Sequence, residues 1–108
     1  MKNRDVLIKA IENDCQTRFF YRDAEGQTCA IAALADAAGL GHLVPDFESE
    51  GRNLAINHPR NALLLNALCE FYDLWDYELT DIQTANDCCF TPEERRAAIL
   101  SYSFLRES

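Results

Sequence analysis

Residues 21–41, YRDAEGQTCAIAALADAAGLG, decide the fold, because they combine a turn, an alanine-rich segment and a glycine stop. Alanine has the highest helix propensity, so residues 29–38 are predicted to form a short, buried central helix. Gly39 stands at the position after a helix where a positive φ angle is common. Thr28 is predicted to cap the first turn with its hydroxyl group.

The segment before this helix predicts a small β-hairpin. Phe19, Phe20 and Tyr21 have the aromatic composition of a strand. The turn at 23–26 opens with Asp and closes with Gly, which is typical of a type I turn. Residues 27–29 are expected to return as the second strand. Because a two-stranded hairpin is marginal alone, it is expected to lie against helices.

Hydrophobic periodicity predicts four more helices, so the fold class is α-dominant with a small β-hairpin. Asn57 or His58 is expected to cap the longest of these helices, with Pro59 in its first turn. The chain is short enough to form one domain, residues 1–108, of four or five helices. The expected helical ranges are 4–15, 59–75, 80–86 and 92–106.

Two further sequence signals predict helix starts. Thr80 and Gln83 match a capping box, in which a hydroxyl and a side-chain carbonyl or carboxylate satisfy each other's backbone amides. Thr91 and Glu94 match a second box, with Pro92 at the first helical position. Residues 80 and 91 are therefore expected to begin the last two helices.

The charge of the chain is strongly negative and unevenly distributed. With 18 acidic and 10 basic residues, the formal net charge is −8. Between Arg60 and Arg95 there is no Lys or Arg, and residues 23–50 contain acids and again no Lys or Arg. Direct nucleic-acid binding requires a basic surface, so it is not expected. A protein partner with a basic surface is expected instead.

Five cysteines stand at positions 15, 29, 69, 88 and 89. Their number is odd, their spacing is irregular, and the first residues have no apolar run of the kind that signal peptides contain. Thiols in a reducing cytoplasm are therefore expected. Adjacent cysteines are poorly spaced for a zinc site, so neither a metal nor another cofactor is expected. No segment has the length of a membrane span.

Candidate partner contacts come from two acidic segments. The first is the irregular loop 42–53, where an aromatic residue stands among carboxylates. The second is the end of the predicted long helix and the residues after it. Loops carry function disproportionately, and carboxylates suit a basic partner. The predicted contact residues are Asp46, Phe47, Glu48, Glu50, Glu70, Asp73, Asp76 and Glu78.

Several motifs together resemble a family of small phage and actinobacterial proteins that typically contain "aRDadG…CAlGALadAag". The matching residues begin with Cys15 and Gln16 and continue through YRDAEG at 21–26 and CAIAAL at 29–34. The family's later Asn-Asp pair and threonine-led helix are matched by Asn86-Asp87 and by TPEERR at 91–96. The resemblance therefore spans most of the chain.

Two positions depart from the family pattern. Ala32 stands where the family has glycine, and Ala85 stands where it usually has tryptophan. The family has no assigned activity, so no functional residue is carried over from it. The resemblance implies a phage or mobile-element context.

The sequence therefore predicts a small, acidic, non-enzymatic binding protein. In the implied context it would inhibit a host defence or nucleic-acid-processing protein such as a CRISPR effector, by docking an acidic surface on a basic groove. One alternative is a cysteine-dependent enzyme that uses Cys29 with His42 or His58, since a helix N-terminus lowers the pKa of a thiol. The other alternative is a protein that self-associates through the aromatic residues of 71–77.

Overall fold

Helices make up most of the structure, a computed structural model that describes residues 1–106. The α-dominant prediction is confirmed, and no helix within this range has the length and apolar composition that a bilayer crossing requires. Two 3₁₀ turns, Gly41–Leu43 and Pro59–Asn61, flank the central loop. The helices are α1 (Arg4–Asp14), α2 (Ala30–Ala37), α3 (Ala62–Tyr72), α4 (Asp76–Cys88), α5 (Pro92–Leu100) and α6 (Ser103–Arg106).

The centre of the fold is α2, which contacts α1, α3 and α4. All residues from Ala30 to Ala35 are buried, because small side chains let three neighbouring helices approach closely. The neighbours contribute larger apolar side chains to one continuous core. Its largest fully buried aliphatic residues are Leu7, Ile11, Ile31, Leu34, Ile56, Leu64, Leu68, Leu79, Ile82 and Ile99.

Both ends of α2 are fixed by local hydrogen bonds. The predicted glycine stop is confirmed, because Gly39 has a φ angle of +75° and the amide of Leu40 donates to Ala35 O at 2.7 Å. The predicted cap is wrong by one residue. Cys29 is the N-cap, while the Thr28 hydroxyl donates to the carbonyl of Asp14 at 2.6 Å.

The predicted β-hairpin is absent from the described part of the chain. Thr28 forms only isolated bridges, one to Cys15 and one to Arg22. Backbone bonds join Asp23 N to Gln27 O and Cys29 N to Tyr21 O, both at 3.0 Å. The Asp23 carboxylate also accepts from the amides of Glu25 and Gln27 at 2.9 Å, so the turn is closed without a regular strand ladder. Residues 21–29 therefore form a tight loop that packs on the helices.

The helix α4 starts four residues before the predicted position. Its start is stabilised by Glu78, whose carboxylate accepts from the amide of Trp75 at 2.8 Å. The predicted cap Thr80 lies inside the helix, where its hydroxyl donates to the carbonyl of Asp76 at 3.1 Å. Gln83 does not reach back toward Thr80, because its side-chain carbonyl accepts from Ile56 N at 2.7 Å.

The predicted helix over 59–75 is divided into a 3₁₀ turn and α3. The expected cap at His58 is confirmed, since its Nδ1 atom accepts from the amide of Arg60 at 3.1 Å. The end was predicted too late, because Asp73 adopts a left-handed conformation with φ +53°. Residues 73–75 therefore form a reversal between α3 and α4.

The helix α5 confirms the second capping box. Glu94 N donates to the Thr91 hydroxyl at 3.1 Å, and the Glu94 carboxylate accepts from Thr91 N at 3.4 Å. The predicted helix over 92–106 is interrupted, because α5 ends at Leu100 and a turn at 101–102 separates it from α6. This arrangement lets the Tyr102 hydroxyl donate to Asp81 O at 3.0 Å on α4.

Candidate functional site

Two large aromatic side chains are exposed at the start of α4. Trp75 is 69% exposed and Tyr77 is 60% exposed. Asp73 and Asp76 beside them are also exposed, and we call these four residues the aromatic–acidic patch. Trp and Tyr are the residue types that most often dominate the binding energy of protein interfaces. Their exposure together makes this patch the leading candidate site.

The reversal between α3 and α4 turns these side chains outward. Asp73 ends α3 in the left-handed conformation, and Leu74 then returns to the core with 7% exposure. Trp75 follows with an extended backbone, held by the bond from its amide to Glu78. The inward Leu74 and the fixed backbone of the next residue leave the indole in solvent.

Tyr77 lies between two surface depressions. One, of about 480 Å³, is lined by Asp73, Trp75 and Tyr77 among others. The other, of about 220 Å³, is lined by Tyr77 together with Asp76 and Asp81. Carboxylates therefore stand on both sides of the phenol ring. Residues 61–94 contain no Lys or Arg, but the amino group of Met1 lies 3.5 Å from Asp73, so a further cationic group is favoured on the side of Asp76 and Asp81.

The two other predicted contact residues from this segment are outside the exposed patch. Glu78 lines the same 480 Å³ depression, but it is 8% exposed and its carboxylate caps α4. Glu70 is exposed but lines a different depression, with Lys2 and Phe71. Asp73 remains at the surface, where one carboxylate oxygen lies 3.5 Å from the amino group of Met1.

The predicted loop contacts form a separate group. Asp46, Glu48 and Glu50 are exposed, and Glu50 lies 3.7 Å from a guanidinium nitrogen of Arg60. Phe47 is 37% exposed, and its ring packs edge-on against Phe20 with centroids 5.5 Å apart. The predicted acidic residues therefore occupy at least three places on the surface.

Cys29 is in the core at the start of α2. It is 4% exposed, and burial raises the pKa of its thiol to about 12. His42 follows the far end of α2, about 12 Å away along an eight-residue helix with a rise of 1.5 Å per residue. His58 uses its Nδ1 atom as a helix cap. The structure therefore brings neither predicted base to this thiol.

Asn86, which the sequence marked only as part of a family motif, is a buried amide that joins three segments. Its carbonyl oxygen accepts from Cys15 Sγ and from Ala30 N, both at 3.0 Å. Its amide nitrogen donates to Thr17 O and to an Asp87 carboxylate oxygen, both at 3.1 Å. The side chain is 1% exposed, so every polar atom has a partner inside the protein. We call this group the Asn86 hub.

Arg95 extends the hub toward the surface. It is 5% exposed, and its guanidinium donates to the carbonyls of Cys89 at 3.1 Å, Phe90 at 2.7 Å and Gln16 at 2.9 Å. A buried arginine with three carbonyl partners fixes backbone geometry strongly. Both the segment after α1 and the connector between α4 and α5 are therefore held in place.

These two fixed segments present a cation between exposed aromatic residues. The guanidinium carbon of Arg18 lies over the Phe19 ring at 4.7 Å and over the Phe90 ring at 4.5 Å. Phe19 is 54% exposed and Phe90 is 77% exposed. We call these three residues the Arg18 clamp. The sequence suggested only a strand at Phe19 and a connector at Phe90, so their proximity was not predicted.

The backbone of Phe19 is strained. Its φ angle is +73°, a conformation that costs a bulky residue about 1–3 kcal/mol. The amide of Phe19 donates to an Asp87 carboxylate oxygen at 3.0 Å, and the same oxygen accepts from Asn86. The hub therefore offsets the strain that turns this ring into solvent.

Neither the sequence nor the fold identifies a relative of this chain. Comparisons with family models, curated proteins and solved structures found no match to this chain. The resemblance to small phage and actinobacterial proteins therefore stays a prediction, and no known protein assigns a role to any residue of this one.

Proposed function

We propose that this protein is a non-enzymatic binding protein that docks its aromatic–acidic patch on a basic surface of a protein partner. The observation that carries the proposal is the exposure of Trp75 and Tyr77, at 69% and 60%, between the exposed carboxylates of Asp73 and Asp76. Rigid aromatic side chains offer large contact area, and truncating such residues in interfaces has the largest effects on binding.

The chemistry of the patch suits arginine or lysine side chains. A guanidinium stacks on an indole or phenol face through a cation–π interaction, and a neighbouring carboxylate accepts its N–H donors. Tyr77 has carboxylates on both sides, from Asp73 in one depression and from Asp76 and Asp81 in the other. A partner with several clustered Lys or Arg side chains could therefore bind carboxylates on both sides of Tyr77.

The biological role that we propose follows from charge and from the family resemblance. A chain with a net charge of −8 is suited to a groove that otherwise holds nucleic acid. We propose that it inhibits a host defence or nucleic-acid-processing protein, with a CRISPR effector as the leading example, on behalf of a phage or mobile element. The exposed loop carboxylates of Asp46, Glu48 and Glu50 would extend the contact.

The state of Cys29 supports a binding role over cysteine chemistry. The first step of such chemistry requires a thiolate, and burial holds the pKa of this thiol near 12. Asn86 lies close by, but its carbonyl accepts from Ala30 N and Cys15 Sγ and does not act as a base.

The proposal is tested by capture of partners from a bacterial host lysate at low and high salt, with quantitative mass spectrometry. Surface ion pairs weaken when the Debye length falls from about 10 Å at 0.1 M to about 3 Å at 1 M salt. We expect a stoichiometric partner that is lost at high salt and is also lost with Trp75→Ala or Asp76→Asn. Purified partner and protein should then reproduce both effects.

Two controls make the test specific. Leu63→Ala removes an apolar side chain that is 76% exposed on α3, and Glu70→Gln removes a carboxylate outside the patch. Neither variant should change capture. Retention of the same partner by Trp75→Ala at wild-type levels would contradict the proposal, and light scattering that shows a patch-dependent dimer would favour self-association.

A further inference from the structure

We propose that the Arg18 clamp is a second contact site, which binds an Asp or Glu carboxylate flanked by apolar residues in a protein partner. The site goes beyond the aromatic–acidic patch, because it lies at the other end of α4 and has the opposite charge. Phe90 follows α4 directly, and Phe19 is bound through its amide to Asp87 in the last turn of that helix.

The N–H donors of Arg18 are the part of this half-buried side chain that a partner can use. Its guanidinium carbon lies 4.7 Å from the centroid of the Phe19 ring and 4.5 Å from that of the Phe90 ring. Among residues 1–106 there is no hydrogen-bond acceptor or carboxylate partner for its N–H donors. The donors of a guanidinium form a planar fork that matches the two oxygens of a carboxylate.

The surroundings of the fork favour apolar residues beside that carboxylate. The two rings are 54% and 77% exposed, which is unusual for phenylalanine in a folded protein. They would be covered when a partner segment lies across them. Aromatic residues and arginine are also the types that are enriched at the centres of protein interfaces.

The fold holds the clamp before any partner binds. Asp87 accepts from Phe19 N at 3.0 Å, and Arg95 donates to Phe90 O at 2.7 Å. Both supports are buried or half-buried, and one of them maintains a φ angle of +73°. A site that is already ordered loses less conformational entropy on binding. Backbone strain at an exposed aromatic residue is typical of functional positions.

We expect the Arg18 clamp to bind a carboxylate of a protein and not a phosphate of a nucleic acid. The chain has a net charge of −8, which repels a polyanion at long range. A single half-buried arginine is also far from the basic surface that phosphate backbones require. One acidic side chain among apolar neighbours avoids both problems.

The test uses a displayed library of random linear peptides, selected on the immobilised wild-type protein and counter-selected on Arg18→Gln. We expect the selected peptides to contain an Asp or Glu next to apolar residues. Their dissociation constants, measured by fluorescence anisotropy, should rise about tenfold or more in Arg18→Gln, which corresponds to the loss of one charge-assisted contact. Arg18→Lys should also bind weakly, because it keeps the charge and loses the fork.

Phe90→Ala tests the apolar part of the site, and Arg60→Gln is the matched control, since its guanidinium is exposed elsewhere on the surface. We expect weaker binding with the first variant and no change with the second. If Arg18→Gln does not fold by circular dichroism, Arg18→Lys and Phe90→Ala decide the result.

Three outcomes would overturn the proposal: no selected binders, selected peptides without acidic residues, or equal binding by Arg18→Gln. Displacement of the peptides by a short single-stranded oligonucleotide or by inorganic phosphate, at lower concentration than by free peptide, would overturn it in favour of a phosphate site. These outcomes are independent of the salt-sensitive basic partner, whose capture depends on Trp75 and Asp76.

Discussion

The two ends of α4 differ in how their polar and aromatic groups are held. At the C-terminal end, the Asn86 hub and Arg95 bond to the backbone of distant segments through Ala30 N, Thr17 O and Gln16 O. At the N-terminal end, Glu78 forms one local cap, while Trp75 and Tyr77 extend into solvent. The polar groups of the C-terminal end therefore join distant parts of the chain and support the Arg18 clamp, whereas the aromatic side chains of the N-terminal end have no such buried support.

This difference separates residues that shape the fold from residues that are free to bind. A buried polar group that loses its partner has a large unfavourable effect, because its desolvation is no longer compensated. An exposed aromatic side chain contributes little to folding, since most of its surface stays in water. Substitutions of the buried Asn86 hub and of the exposed aromatic–acidic patch should therefore affect stability and binding in opposite proportions.

The largest effect is expected for Asn86→Ala. The substitution leaves the amide of Ala30 and the carbonyl of Thr17 without their partners inside the protein. We expect the free energy of unfolding to fall by about 3 kcal/mol, measured by urea denaturation.

The control for this variant is Asn66→Ala, which removes the same side chain from an exposed position on α3. It should change stability by no more than about 0.5 kcal/mol. A loss below about 1 kcal/mol for Asn86→Ala would mean that water replaces the amide and that the hub is not a joint between segments.

A smaller effect on stability is expected at alkaline pH, and it involves two buried thiols near the Asn86 hub. Burial raises the pKa of Cys29 from 9.0 to about 12 and that of Cys15 to about 11. The folded protein thus keeps protons that the unfolded chain releases above pH 9. Stability from each thiol is complete below that pH and falls as the pH rises toward the folded pKa.

Between pH 8 and pH 10, each buried thiol should therefore lower the free energy of unfolding by roughly 1 kcal/mol. The measurement is urea denaturation at both pH values, in the wild type and in Cys29→Ala. The variant should lose less stability over this interval than the wild type, whatever its stability at pH 8. Equal pH dependence in both proteins would show that this thiol ionises as readily in the folded state as in the unfolded one.

The smallest effect on stability is expected at the N-terminal end. Trp75→Ala and Tyr77→Ala should each change the free energy of unfolding by no more than about 0.5 kcal/mol, because both side chains are mostly exposed. Thermal unfolding with equal transition midpoints would support this expectation. A large loss would show that the indole or the phenol packs on the fold, and the aromatic–acidic patch would then be part of the structure.

Local signals in the sequence predicted local structure well. Gly39, His58 and Thr91 act where and as expected, because each interaction involves residues within five positions along the chain. The start of α4 was not predicted, since Gln83 bonds to Ile56 N and that contact depends on the tertiary fold. The hairpin is a local prediction that was wrong, because the Asp23 carboxylate accepts from the amides of Glu25 and Gln27 within its own turn.

The candidate site was predicted only in part. Asp73 and Asp76 were among the predicted contact residues, whereas Trp75 was considered only with the aromatic residues of 71–77 as a means of self-association. The left-handed residue at 73 ends the helix and changes the direction of the side chains that follow. The Arg18 clamp depends on residues 71 positions apart in the chain, which no short-range pattern brings together.

The length of α4 sets the distance between the two candidate contact sites. A helix of 13 residues with a rise of 1.5 Å per residue is about 20 Å long, and it does not stretch. If one partner holds both a basic and an acidic group at this spacing, the second contact forms at a high effective concentration once the first is made. The fixed length of α4 would then favour, through avidity, partners whose basic and acidic groups lie about 20 Å apart.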